Sequence, residues 1–148
     1  KKIKIIQQTS EKNVSNLKNF YSKNGIENLI FNFDKDLNKI MCSSDLCITR
    51  AGASTLSELS VLNIPFIAVP LPTSKDNHQL ENANFYKNNN CCWLIEQKYF
   101  EEKIEKILYD IFDHRINLLE KKENLKKLNY QNTWINVNQK ILKNINEN

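Results

Sequence analysis

The chain has 148 residues, 41% of them hydrophobic, which is enough for one domain with a buried core. Its 21 basic residues outnumber 17 acidic ones, and the net charge of +4 is spread along the chain. This weak, scattered excess argues against a nucleic-acid-binding protein. No apolar run reaches the ~20 residues that cross a bilayer, and the N-terminus lacks a secretory signal. We therefore expect a soluble, cytoplasmic protein.

Strand and helix patterns alternate along the chain. In order, they predict a strand at 3–9, a helix at 10–24, a strand at 28–33, a short helix at 36–41 and a strand at 46–49. There follow a helix at 54–62, a strand at 66–69, a helix at 79–88, a strand at 91–96 and helices from Tyr99 onward. The connections are too long for hairpins, so we expect an α/β fold. It would be a Rossmann-like parallel sheet with helices on both faces and a helical C-terminal tail.

The four cysteines are Cys42, Cys47, Cys91 and Cys92, and no two of them form a C-x-x-C pair. Two of them lie in apolar runs that predict buried strands. We expect buried, reduced thiols rather than a disulfide framework or a zinc site.

The stretch Ile48–Glu58 predicts a strand, a tight turn of small residues and a helix. Gly52 can adopt backbone angles that residues with a Cβ avoid, so we expect the turn to depend on it. The first amides of a helix have no intrahelical partner, and the helix dipole favours an anion there. Glu58 would lie about one turn further on, within reach of a sugar attached to a bound phosphate. This arrangement is typical of a nucleotide site.

A structural alternative stays open for the same stretch. Thr55 and Glu58 fit a capping box, in which Thr55 is the N-cap and Glu58 reaches back to its amide. Capping boxes occur without any ligand.

A second polar loop, 70–79, follows the apolar strand at 66–69. Two prolines, Pro70 and Pro72, restrict its backbone. Ligands of parallel sheets bind beyond the carboxyl ends of the strands, and both loops lie at such ends. Asp76 and Gln79 also fit an N-cap and its N3 partner, so helix capping alone could explain them.

Together these residues resemble the donor-binding domain of the MurG family, glycosyltransferase family 28. The resemblance covers about residues 3–97 and rests on short motifs. They are Phe33 with Asp36-Leu37, S-D-L at 44–46, I-T-R-A-G-A-S-T-L-S-E at 48–58, I-P-F-I-A-V-P-L-P at 64–72, D-N-H-Q-L-E-N-A at 76–83 and W-L-I-E-Q at 93–97.

The resemblance implies the C-terminal half of a two-domain GT-B glycosyltransferase that moves N-acetylglucosamine from UDP-GlcNAc onto lipid I, forming lipid II in peptidoglycan synthesis. Residues 1–98 would form a partial Rossmann-like donor-binding domain, and 99–148 the helices that complete it. Related domains begin with a further strand, central in a 3-2-1-4-5-6 order, whose loss would leave its two neighbours unpaired. We therefore expect a fragment, or one part of a split enzyme, that is inactive alone.

The resemblance also implies roles for individual residues. Glu58 would bind the ribose, and the main chain at Gly52, Ala53 and Ser54 would face the diphosphate and the sugar. Gln79, with its neighbours, would select GlcNAc. The complete expected set of substrate-binding residues is Arg50, Gly52, Ala53, Ser54, Thr55, Glu58, Asp76, His78 and Gln79, with Phe33 and Leu37 at the uracil.

The resemblance further implies an inverting transferase that uses no metal and no cofactor. An N-terminal domain would bind the lipid-linked acceptor and supply the catalytic base, so this chain is expected to contain no base. The same domain would give peripheral membrane association at the inner face of the cell membrane. One alternative is the catalytic subunit of a dolichol-linked GlcNAc transferase. Others are a non-catalytic nucleotide-sugar-binding module and an epimerase on the same fold.

Overall fold

The computed structural model describes residues 2–74 and 77–131, together with Gln139 and Lys143. Asp76 and most of the predicted helical tail after Gln131 therefore lie outside the described residues. The chain divides into two compact units, residues 1–37 and 38–148.

The first unit contains two parallel strands and one helix: β1 (Lys4–Gln8), α1 (Glu11–Lys23) and β2 (Glu27–Phe31). Gly25 follows α1 with φ +67°, a conformation that glycine adopts without a steric cost. Phe20 of α1 is 59% exposed. Within its unit α1 has only a two-stranded sheet beside it, and none of its residues is buried.

The second unit contains three parallel strands in the order β3 (Cys47–Thr49), β4 (Phe66–Ala68) and β5 (Cys92–Leu94). Its helices are α2 (Leu37–Cys42, beginning at the unit boundary), α3 (Ala53–Val61), α4 (His78–Asn88), α5 (Phe100–Asp113) and α6 (Arg115–Gln131), with a 3-10 turn at Gln97–Tyr99. The alternation of strands and helices is as predicted. Among the described residues, however, the strands pair as two parallel sheets rather than one.

The core of the second unit surrounds β4, whose three residues have no exposed surface. Alternate residues of a strand point to opposite faces. Ile67 belongs to the cluster packed against α5, and Phe66 makes an edge-on ring contact with Tyr86 of α4, with 5.3 Å between ring centroids. Helices therefore cover both faces of this sheet. Five apolar residues of α5 belong to this core or pack against it: Phe100, Ile104, Ile107, Leu108 and Ile111.

All four cysteines are free thiols. Cys91 and Cys92 are buried as expected, whereas Cys42 is exposed. Burial raises the pKa of Cys92 to about 12, which keeps this thiol protonated at neutral pH.

No helix within the described residues is long and apolar enough to cross a membrane.

Candidate functional site

The carboxyl ends of β3, β4 and β5 lie along one edge of the three-stranded sheet, because all three strands are parallel. Main-chain bonds continue the pairing to this edge, from the Val69 amide to the Thr49 carbonyl at 2.8 Å and from the Ile95 amide to the Ala68 carbonyl at 2.9 Å. We call this edge, with the loops that follow the three strands, the carboxyl edge. The two polar loops found in the sequence both begin here, as predicted.

The turn between β3 and α3 depends on Ala51 rather than on Gly52. Ala51 has φ +65° and is fully buried, so the left-handed residue of the turn carries a Cβ. Gly52 has φ −64° and ψ 137°, which any residue can adopt. The expectation that Gly52 supplies the unusual backbone angles is therefore wrong. A Cβ added at Gly52 would meet no atom within 4 Å, so the glycine instead leaves open space at the start of α3.

Gly52 is the N-cap of α3, and a glycine has no side chain that can cap a helix. The amides of Ala53, Ser54 and Thr55 are in the first turn, where a helix offers no main-chain acceptor. The first main-chain bond of α3 is from the Leu56 amide to the Gly52 carbonyl at 3.0 Å. Ala53 and Ser54 are exposed residues and Thr55 is partly exposed, so the start of α3, with the positive end of the helix dipole, lies at the surface.

The capping box between Thr55 and Glu58 does not form. The helix begins at Ala53, two residues earlier than that interpretation requires, so Thr55 is already the third helical residue. Glu58 is exposed on α3, and its carboxylate forms no hydrogen bond or ion pair with any residue that the structure describes. It is therefore open to a ligand about one and a half turns from the start of α3.

Asn82 of α4, the helix that follows the second loop, contacts the turn between β3 and α3. Its side-chain amide donates a hydrogen bond to the carbonyl of Ala51 at 3.4 Å, across 31 positions of sequence. This contact connects α4 directly to the left-handed residue of the β3–α3 turn. Sequence reasoning assigned no role to Asn82; the only signal was its place three residues after Gln79 in the motif at 76–83.

Gln79 fixes the backbone of the loop after β4. Its side-chain oxygen accepts a hydrogen bond from the Leu71 amide at 2.9 Å. The helix begins at His78, and its N-cap is Asn77, which has φ +55°. Gln79 is thus the second helical residue, and the interpretation of Asp76 and Gln79 as N-cap and N3 partner is wrong. His78 is exposed at the first position of α4.

Arg50 connects the loop after β3 to the loop after β5. Its guanidinium donates to the side-chain oxygen of Gln97 at 2.7 Å, across 47 positions of sequence. Both residues are exposed. Loops from all three strands of the second unit therefore meet at the carboxyl edge.

The two residues expected at the uracil, Phe33 and Leu37, belong to the first unit. Phe33 is 79% exposed, which leaves its ring available to a flat ligand. The carboxylate of Asp34 accepts a hydrogen bond from the main-chain amide of Asp36 at 2.7 Å, so it has a partner within the same loop. Leu37 is half-buried at the first position of α2.

Metal-binding clusters are absent from the described part of the chain, where no three His, Cys, Asp or Glu side chains come together. Among the described residues, the groups gathered at the carboxyl edge are instead main-chain amides, three side-chain amides and one guanidinium. Such donors suit an anionic, hydroxyl-rich ligand.

Comparison with known proteins identifies the family. Residues 1–134 match the model of the Glycosyltransferase family 28 C-terminal domain. The chain belongs to this family. The N-acetylglucosamine transferase of Pelagibacter ubique that acts on N-acetylmuramyl-(pentapeptide) pyrophosphoryl-undecaprenol is 49% identical over 148 residues, 99% of this chain and 42% of the relative. The transferase of the same name from Campylobacter fetus is 37% identical over 78% of this chain and 34% of its own length.

A solved structure supports the fold. The crystal structure of Acinetobacter baumannii MurG superposes with a TM-score of 0.74 at 24% identity, covering 85% of this chain and 37% of that one. The chain thus spans between 34% and 42% of the length of these three matched proteins.

Proposed function

We propose that this member of glycosyltransferase family 28 binds UDP-N-acetylglucosamine at the carboxyl edge and forms the donor-binding part of an inverting N-acetylglucosamine transferase. The acceptor would be lipid I and the product lipid II, as the names of its relatives suggest. The observation that carries the proposal is the uncapped start of α3, fixed beside α4 by the bond between Asn82 and Ala51.

The diphosphate of the donor fits the start of α3. Its negative charge would be stabilised by the amides of Ala53, Ser54 and Thr55, by the helix dipole and by the guanidinium of Arg50. In an inverting transfer the acceptor hydroxyl attacks the anomeric carbon while the bond to the diphosphate oxygen breaks. UDP leaves with the electron pair of that bond, and donors already held in place lower the barrier to its departure.

The remaining groups would hold the nucleoside and the sugar. The exposed carboxylate of Glu58 would accept hydrogen bonds from the two ribose hydroxyls. Gln79 would donate to hydroxyls of N-acetylglucosamine, with His78 and Asp76 beside it. Phe33 and Leu37 would contact the uracil.

The other reaction partners would be supplied by a second, N-terminal domain. We propose that this domain brings the lipid-linked acceptor and the catalytic base, and that it associates with the inner face of the cell membrane. No catalytic base is assigned to the present chain. Its contribution to the reaction is donor binding and stabilisation of the leaving UDP.

Calorimetric titration of the chain with UDP-GlcNAc, UDP and uridine tests the proposal. Affinity should decrease in that order, because UDP lacks the sugar contacts and uridine also lacks the diphosphate contacts. Equal affinity for UDP and uridine would contradict a diphosphate at the start of α3. An absence of binding to all three would overturn the proposed function.

A further inference from the structure

The guanidinium of Arg50 is hydrogen-bonded to a neutral side chain, although an acidic residue is adjacent to that side chain in the sequence. The partner of its guanidinium is the side-chain oxygen of Gln97, at 2.7 Å. Glu96 is the preceding residue, and its carboxylate is paired with Lys98 at 3.2 Å. Glu96, the acidic neighbour of Gln97, is therefore paired with Lys98 and not with Arg50.

The neutrality of this contact has an electrostatic consequence. A carboxylate that held Arg50 would cancel most of its charge, whereas an amide oxygen orients the guanidinium and leaves the charge intact. The guanidinium has five N–H donors, so those not directed at Gln97 remain for a ligand. Arg50 precedes the left-handed Ala51 and the N-cap Gly52 directly, so its main chain lies at the end of β3 where α3 begins, while its guanidinium is held beside Gln97.

We propose that Gln97 is a positioning residue, which holds Arg50 at the carboxyl edge without neutralising it, so that the guanidinium acts on the diphosphate of the nucleotide donor. This inference rests on the proposed function, and it adds the loop after β5 to the donor site. The chemical requirement at position 97 is an uncharged hydrogen-bond acceptor.

This requirement predicts different effects of Gln97→Glu and Gln97→Ala on stability and on UDP binding. A glutamate accepts a stronger hydrogen bond from Arg50, so it should keep or raise the thermal midpoint of the chain, yet it adds a negative charge beside the diphosphate. An alanine removes the hydrogen-bond acceptor, so Arg50 keeps its charge but its guanidinium is no longer held in one position. A purely structural connection between the two loops predicts the opposite ranking for ligand binding, with glutamate harmless and alanine harmful.

The test is calorimetric titration of the wild-type chain and both variants with UDP and with uridine at low ionic strength, beside thermal unfolding. Gln97→Glu should weaken UDP binding about fivefold or more and Gln97→Ala about twofold, with uridine binding unchanged in both. The control is Asn88→Glu, which adds the same negative charge at the last residue of α4. This end of α4 leads to the start of β5 and so lies away from the carboxyl edge, and UDP binding should be unchanged.

Wild-type affinity for UDP in Gln97→Glu would overturn the proposal while leaving the proposed function in place. Equal losses for UDP and uridine in this variant would also overturn it, because they would show a general disturbance of the site. If the wild-type chain binds neither ligand, the proposed function fails and the role of Gln97 fails with it.

Discussion

The amide of Leu71 donates to the side-chain oxygen of Gln79 at 2.9 Å, and this bond fixes the orientation of the glutamine. An amide N–H can only be matched by an acceptor, so the side-chain oxygen must face Leu71. The NH2 group of Gln79 is then the part of the side chain that remains for a ligand. Gln79 would recognise sugar hydroxyls as a donor.

Replacing Gln79 with glutamate should separate its two roles. A glutamate still accepts from Leu71 but can no longer donate to a sugar. We expect Gln79→Glu to unfold in urea at the wild-type midpoint and to lose the preference for UDP-GlcNAc over UDP in calorimetry. Gln79→Ala should lose both properties, with a decrease of about 0.5–1.5 kcal/mol in the free energy of unfolding. Retained preference in Gln79→Glu would show that the glutamine does not donate to the sugar.

Gly52→Ala should affect binding more than folding. The backbone angles at Gly52 suit alanine, and the new Cβ would meet no protein atom within 4 Å, so the cost should be about 1 kcal/mol or less. The methyl group would, however, occupy space that the diphosphate needs, and we expect UDP affinity to fall at least about tenfold, or 1.4 kcal/mol. Calorimetry and urea unfolding measure the two effects.

Gly25→Ala is the matched control for that substitution. Gly25 has φ +67°, so alanine there should lower the free energy of unfolding by about 1 kcal/mol. It should not change the affinity of the folded chain for UDP. Undiminished UDP binding in Gly52→Ala would argue against a diphosphate at the start of α3.

Glu58→Ala should weaken UDP binding by more than ~1 kcal/mol, the size expected when hydrogen bonds to a charged group are lost. Folding should be unaffected, since the carboxylate has no partner among the described residues. Glu105→Ala removes an exposed acid from α5 and provides the comparison. If both variants bind UDP as the wild type does, Glu58 has no part in holding the ribose.

The buried thiol of Cys92 should make stability fall at alkaline pH. Its folded-state pKa is raised from 9.0 to about 12, mainly by burial and partly offset by Lys121. Between these values the unfolded chain loses the proton first, so the stabilising contribution is complete below pH 9 and is lost as pH rises above it. From pH 8 to pH 10 this thiol should account for about 1.4 kcal/mol.

Urea unfolding of the wild type and Cys92→Ala under reducing conditions at both pH values measures that contribution. The wild type should lose about 1.4 kcal/mol more than the variant over this interval. Equal losses would mean that Cys92 is not protected from ionisation in the folded chain.

The elements of this fold could be predicted because their patterns are local. The uninterrupted apolar run at 66–69 marked the central strand β4, and the helical spacing of apolar residues marked α5. The positions of the two polar loops followed from parallel pairing alone. These features depend on residues that are close in sequence, which is why one sequence was sufficient.

The details of the site could not be predicted, because they depend on contacts between distant residues. Nothing local indicates that Ala51 rather than Gly52 takes the positive φ; Ala51 is fully buried, and Asn82 binds its carbonyl. The hydrogen bond between Arg50 and Gln97 joins residues 47 positions apart, and no periodic pattern in the sequence indicates it. The exposure of Phe20 likewise reflects how few elements surround α1 within its unit.

The most direct test of the donor site is an NMR titration of the 15N-labelled chain with UDP and with uridine. The proposed binding mode predicts that the amide resonances of Ala53, Ser54 and Thr55 shift strongly on saturation with UDP and much less with uridine. Resonances of the α6 amides should hardly move. UDP-induced shifts that leave these three amides unchanged would contradict a diphosphate site at the start of α3.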